Sequence, residues 1–159
     1  AEQRLKIIEL LAQSASSRGM VGGQAIDLAS VGKTLTEVEL ENMHIHKTGA
    51  LIRASVLAAA YTAHSISTEQ LQALDHYAKC VGLAFQVQDD IIDATLTSEE
   101  AGKPTQNDGH KNSFVNLLGL EGAKETKQKL LLELDGELEK LDAALSHRLK
   151  SIVEAYFKG

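Results

Sequence analysis

Residues 68–94, TEQLQALDHYAKCVGLAFQVQDDIIDA, decide the fold class of this chain. Ser67 and Gln70 form a capping box at the start of this stretch, which is a signal for the beginning of an α-helix. The apolar positions that follow recur at helical spacing and fall mostly on one face: Leu71, Leu74, Ala78, Val81, Phe85 and Val87. The pattern predicts one long helix with a buried apolar face.

The residues upstream of this helix also show helical patterns. The chain opens with apolar residues at helical spacing, and we expect that helix to continue through Gly22-Gly23 and to break at Gly32-Lys33. Thr36 and Glu39 form a second capping box, which predicts a helix over about residues 37–47. Both regions are therefore expected to be helical.

Downstream, a loop at about residues 95–111 carries the only proline, Pro104. A stripe of leucines then follows at spacings of three and four residues: Leu130, Leu134, Leu138, Leu141 and Leu145. A short amphipathic helix is expected at about residues 148–157. No alternation typical of strands is present, so the prediction is an all-α protein with a single helical domain over residues 1–159.

The composition excludes several classes of protein. A chain of 159 residues with 43% hydrophobic residues suffices for one domain with its own core. A single cysteine, Cys80, rules out an intramolecular disulfide and a multi-cysteine zinc site, and we expect it to serve packing. The net charge of -6 argues against nonspecific nucleic-acid binding. No apolar run approaches the ~20 residues of a membrane span and no signal peptide is recognisable, so we expect a cytoplasmic protein.

Three aspartates stand at the end of the long apolar helix: Asp89, Asp90 and Asp93. Their spacing brings them to one side of the helix end, where their mutual repulsion and the negative helix pole favour a bound cation. Oxygen ligands without histidine or cysteine select Mg²⁺. Gln86, three residues before Asp89, shares their face and suggests a ligand pocket. The alternative is a solvated acidic helix end.

Lys47, Thr48 and Gly49 form a second candidate site at a joint between two helical stretches. An ammonium, a hydroxyl and backbone N–H groups at such a joint suit a diphosphate. The alternative is a helix that simply ends in lysine and glycine, a common capping pattern.

Two further pairs of residues have polar groups of interest. Gln24 and Asp27 are three residues apart and share a helix face. The alternative is that Gly22 and Gly23 serve close helix packing and that Asp27 is simply exposed. Lys103 and Lys111 lie in the loop after the aspartates. They suit an anion, or they balance the acidic helix end.

Four segments together, in this order, resemble the trans-polyprenyl diphosphate synthases: GGQAIDL (22–28), HKTGALIRA (46–54), GLAFQVQDDIID (82–93) and the loop beginning AGK (101–103). The similarity is strongest to the bacterial farnesyl diphosphate synthases. It implies the C-terminal half of the isoprenoid-synthase helical bundle, because the family's first aspartate-rich motif and its upstream Gly-Lys-Arg segment are not in this sequence.

The resemblance implies a role for each candidate residue. The three aspartates would hold Mg²⁺ against an allylic diphosphate, with Asp89 the leading direct ligand. Lys47 and Lys103 would contact that diphosphate, and Lys111 matches the lysine that closes the family's flexible loop. The resemblance further implies that the allylic carbon faces Lys47, Thr48 and Gln86. It also implies that the same cavity is lined by Gln24 and Asp27.

The implied reaction is a head-to-tail condensation of an allylic diphosphate, dimethylallyl or geranyl, with isopentenyl diphosphate. Mg²⁺-assisted ionisation would give a short-chain product such as farnesyl diphosphate, in a homodimeric enzyme, and the 159 residues alone are expected to be inactive. One alternative is a non-catalytic helical subunit or degenerate paralogue of the same fold. A terpene cyclase is less favoured because of the KTGAL segment and the lysine loop.

Overall fold

The computed structural model describes residues 1–96 and 111–157, and within these ranges it contains α-helices, one π-helical turn and no strands. The α-helices are α1 (Glu2–Ala15), α2 (Met20–Ala29), α3 (Glu37–His44), α4 (Ala50–Tyr61), α5 (Thr68–Thr95), α6 (Phe114–Leu138) and α7 (Ala143–Phe157). The π-helical turn, Ile45–Gly49, joins α3 to α4. The all-α prediction is confirmed.

Both predicted capping boxes are present. The Ser67 hydroxyl accepts a hydrogen bond from the Gln70 backbone N–H, and the Gln70 side chain accepts one from the Ser67 N–H, each at 3.0 Å. Thr36 and Glu39 make the same reciprocal pair at the start of α3. Because these caps satisfy backbone donors that would otherwise lack partners, each helix begins at the residue that the sequence predicts.

Helix α5 is the centre of the fold. Its residues Leu74 and Tyr77 belong to a core cluster with α4, α6 and α7, whereas Leu83 and Val87 belong to a second cluster with α3 and the start of α6. Val87 and its neighbour Phe114 are fully buried. Helix α5 therefore contributes apolar residues to both core clusters of the described residues.

Three predicted boundaries differ from the structure. The first helix ends at Ala15 instead of continuing, because the Ser16 hydroxyl donates to the Gln13 carbonyl at 2.8 Å and accepts from the Arg18 N–H at 3.2 Å. Such local side-chain bonds compete with helical ones. Gly22-Gly23 lies within a separate helix, α2, and the chain breaks as expected at Gly32, where φ is 77°.

The other two differences concern α3 and the leucine stripe. The helix predicted over residues 37–47 ends at His44, and the π-helical turn replaces its last residues. The leucine stripe spans two helices, since α6 ends at Leu138 and α7 begins at Ala143, where the Asp142 carboxylate caps the Leu145 N–H at 3.0 Å. The last helix is thus longer than predicted.

None of the described helices combines the length and the apolar character that crossing a bilayer requires.

Candidate functional site

The π-helical turn places Lys47 and Thr48 between α2 and α5. A methyl group at Gly23 of α2 would lie 2.1 Å from the backbone nitrogen of Lys47. On the other side, a methyl group at Gly82 of α5 would lie 3.0 Å from the Cα of Gly49. The turn is therefore held between two glycines, which let both helices approach its backbone more closely than a side chain would permit.

Lys47 is paired with Asp27 across this contact. The Lys47 Nζ lies 2.5 Å from the Asp27 Oδ2, and the two side chains are 35% and 32% exposed. A partly exposed pair of this kind contributes at most about 1 kcal/mol, so its main consequence is the position of the ammonium. Gln24, on the same helix, is exposed. The structure thus brings Asp27 to Lys47, and the role predicted for Gln24 stays a prediction.

A chain of hydrogen bonds links Thr48 to the end of α5. The Thr48 hydroxyl donates to the Gln86 Oε1 at 3.4 Å, and the Gln86 Nε2 donates to the Asp90 Oδ1 at 2.9 Å. The second oxygen of Asp90 accepts the backbone N–H of Phe114 at 2.8 Å. Asp90 therefore connects the polar junction with the N-terminus of α6, where a negative charge is favourable.

The three predicted metal ligands occupy the last two turns of α5. All three are partly buried, and Asp89 and Asp93 are four residues apart, so their side chains lie on the same side of the helix. Their donor set consists of carboxylate oxygens, which fits Mg²⁺ with water and phosphate as further ligands. Since Asp90 already binds both Gln86 and Phe114, its contribution to the site is at least partly structural.

His44 is a buried residue of the site that the sequence analysis missed. It is 5% exposed, neither ring nitrogen has a hydrogen-bond partner among the described residues, and its ring stacks on Phe114 at 5.7 Å between centroids. Burial lowers the pKa of the imidazole to about 4, with the charge of Lys47 acting in the same direction and Asp27 opposing it. His44 is therefore neutral at pH 7 and adds no charge beside Lys47.

Of the two predicted loop lysines, Lys103 lies outside the described residues. Lys111 is exposed and, with Lys33, lines a cavity of about 350 Å³ next to the start of α6. Asn112 holds this region together: its Nδ2 donates to the Lys33 carbonyl at 2.9 Å, and its Oδ1 accepts the Leu35 N–H at 2.9 Å. These contacts join segments far apart in sequence, so no local signal identifies Asn112.

Lys127 makes a second contact that the sequence did not indicate. Its Nζ donates to the Gln88 Oε1 at 2.7 Å, from α6 to α5. The amide next to the first aspartate thus has a partner on the neighbouring helix. This bond fixes the end of α5 against α6 on the side of Gln88.

The chain matches a family model and known proteins over most of its length. The family model for polyprenyl synthetase matches residues 1–152. Farnesyl diphosphate synthase of Micrococcus luteus is 39% identical over 155 residues, which is 96% of this chain and 53% of that protein. Farnesyl diphosphate synthase of Escherichia coli is 41% identical over 140 residues, covering 87% of this chain and 47% of the relative.

A solved structure agrees with these matches. The geranyltransferase of Helicobacter pylori, complexed with magnesium and isoprenyl diphosphate, is 37% identical and superposes with a TM-score of 0.91. The superposition covers 100% of this chain and 54% of that protein. The chain spans about half the length of the curated relatives it matches.

Proposed function

The chain belongs to the polyprenyl synthetase family, and from this membership we propose that it is the C-terminal half of a short-chain trans-prenyltransferase, a single helical unit over residues 1–159. The observation that carries the proposal is one junction at which Lys47 pairs with Asp27 of α2, while the adjacent Thr48 donates to Gln86. Gln86 in turn donates to Asp90 of α5. That junction offers a cation for a diphosphate and oxygen dipoles for a developing carbocation.

Asp89, Asp90 and Asp93 are the residues that would hold Mg²⁺. When bound, this ion withdraws charge from the diphosphate and so makes it a better leaving group. The leading direct ligands are Asp89 and Asp93, because Asp90 also binds Gln86 and the backbone N–H of Phe114 at the start of α6. In this proposal Asp90 both supports the site and positions the amide.

Lys47 would bind the diphosphate of the allylic substrate. Lys103, which lies outside the described residues, would bind it as well, and Lys111 would close over it. Asp27 holds the Lys47 ammonium at 2.5 Å, so its position is set before the substrate arrives. A lysine that is already oriented contributes more in the transition state than one that must first be ordered. Gln24 and Asp27 would line the same cavity.

The amide of Gln86 is oriented for cation stabilisation. Because its Nε2 donates to Asp90, its carbonyl oxygen is directed toward the Thr48 hydroxyl. These oxygens present negative dipole ends to the allylic carbon as the carbon–oxygen bond to diphosphate breaks. The alkene of isopentenyl diphosphate then bonds to that carbon, and loss of one proton restores a double bond.

The proposed product is a short-chain prenyl diphosphate such as farnesyl diphosphate, and the proposed enzyme is a homodimer in the cytoplasm. A chimera tests the activity: this chain replaces the matching half of the Micrococcus luteus enzyme. We expect the chimera to convert geranyl and isopentenyl diphosphates with Mg²⁺, and the isolated chain to give no product.

Two variants of the chimera supply the controls. Asp89→Asn should sharply lower turnover, whereas Glu125→Gln, at an exposed acid on α6, should not. A folded chimera without activity would contradict the proposal, and so would an Asp89→Asn variant that keeps full activity. Product from the isolated chain would contradict the requirement for a second half.

A further inference from the structure

A second cluster of metal-ligating groups lies between α5 and α6, away from the aspartates. His76 and Cys80 are four residues apart on α5 and share one face, and Glu133 comes from α6. One ligand atom of each residue lies within 4.8 Å of the other two. Cys80 precedes Asp89 by nine residues, a distance of roughly 14 Å along the helix axis. The cluster is thus separate from the aspartate site.

The imidazole of His76 is held by carboxylates on both sides. Its Nε2 lies 2.6 Å from the Glu133 Oε1, and its Nδ1 lies 3.0 Å from the Glu137 Oε1. A metal-bound histidine typically donates its second ring N–H to a carboxylate, which fixes the tautomer and the ring orientation. Glu137, which is 9% exposed, is already placed for that role when Nε2 binds a metal.

The carboxylates and the open side of the cluster suit a divalent cation. The Cys80 side chain forms a buried floor, while His76 and Glu133 are about half exposed and leave a side open to solvent. In the described residues, Lys140 pairs with Glu137 and Lys79 pairs with Asp75, each at 3.0 Å, and neither ammonium pairs with Glu133.

We propose that His76, Cys80 and Glu133 bind one Zn²⁺ between α5 and α6, with Glu137 orienting the imidazole. Nitrogen and sulfur ligands together with one carboxylate favour zinc over magnesium. Zinc bonds of about 2.0–2.3 Å place neighbouring ligand atoms roughly 3.3–3.8 Å apart, which side-chain rotation reaches from the present separations. On binding, the thiol proton leaves to solvent and a water completes four-coordination.

Metal titration of the whole chain, freed of metal with a chelator, tests this site. Zinc chloride in competition with a chromophoric chelator should give one bound ion per chain. Cys80→Ser and His76→Ala should each weaken zinc binding at least tenfold. Loss of a residue that only supports a ligand already costs about tenfold, and these two residues are ligands themselves. Cobalt chloride should produce an ultraviolet sulfur-to-cobalt charge-transfer band that Cys80→Ser abolishes.

Two further variants distinguish the proposed roles. Glu137→Gln should weaken zinc binding by about tenfold yet retain the charge-transfer band, because it supports the ligand without binding the metal. His64→Ala, at an exposed histidine outside the cluster, should leave the affinity unchanged. The proposal is overturned if the folded wild-type chain takes up no zinc, or if Cys80→Ser binds zinc and cobalt as the wild type does.

Discussion

Gly23→Ala tests the contact that positions Lys47. The added methyl group would lie 2.1 Å from the Lys47 backbone nitrogen and 2.5 Å from its Cα. Ordinary contacts begin at 3.4 Å, so α2 and the π-helical turn must separate by about 1.3 Å. Both atoms belong to the backbone, and no rotation of a side chain relieves the clash.

The expected magnitude follows from two opposing effects. Overpacking of this kind costs about 1–3 kcal/mol or more, while replacing a helical glycine by alanine gains about 0.5–1 kcal/mol. Gly136→Ala is the matched control, since its methyl group meets nothing within 4 Å and only the gain applies. Urea denaturation should therefore show Gly23→Ala unfolding at a lower concentration than the wild type, and Gly136→Ala at an equal or higher one.

The functional consequence is measured in the active chimera. Displacement of the turn separates Lys47 from Asp27, so we expect Gly23→Ala to lose most of its turnover while Gly136→Ala keeps it. If Gly23→Ala were as stable and as active as Gly136→Ala, the close approach of α2 to the turn would be refuted.

Three further predictions concern other contacts. The unfolded chain protonates His44 near pH 6.5, but the folded chain does so only near pH 4. Stability should therefore fall as the pH drops through this window, by about 2 kcal/mol between pH 7 and 5, and urea denaturation of His44→Phe should lack this loss. Asp90→Ala should cost about 1–3 kcal/mol by removing the partner of the Phe114 N–H, with Asp90→Asn costing less; equal urea midpoints would contradict this. Asn112→Ala should accelerate amide hydrogen exchange at Leu35, whose N–H it binds, and unchanged exchange would rule out that bond in solution.

The helices were predictable because their signals are local. The capping boxes at Ser67 and Thr36 involve residues three apart, and the stripe of α5 needs only the helical period. The break at Ser16 was missed because a hydroxyl bond to Gln13 overrides an apolar pattern that continues on both sides. Helical spacing reports which face is buried, and it reports boundaries less well.

The site was only partly predictable for a related reason. The residue types at Lys47, Gln86 and the aspartates indicated the chemistry, but the pairing of Lys47 with Asp27 depends on the close approach at Gly23. Asn112 and Lys127 act on segments distant in sequence, so only the folded chain reveals them. Likewise, the zinc cluster joins α5 to α6, and His76 and Cys80 on α5 gave no signal without Glu133.

The most direct test of the central claim is calorimetric titration of this chain with inorganic diphosphate, with and without Mg²⁺. If the aspartates of α5 hold the ion against a diphosphate, binding requires Mg²⁺, is lost in Asp89→Asn and persists in Glu125→Gln. Diphosphate binding that is independent of Mg²⁺, or equal in Asp89→Asn and the wild type, would contradict the account.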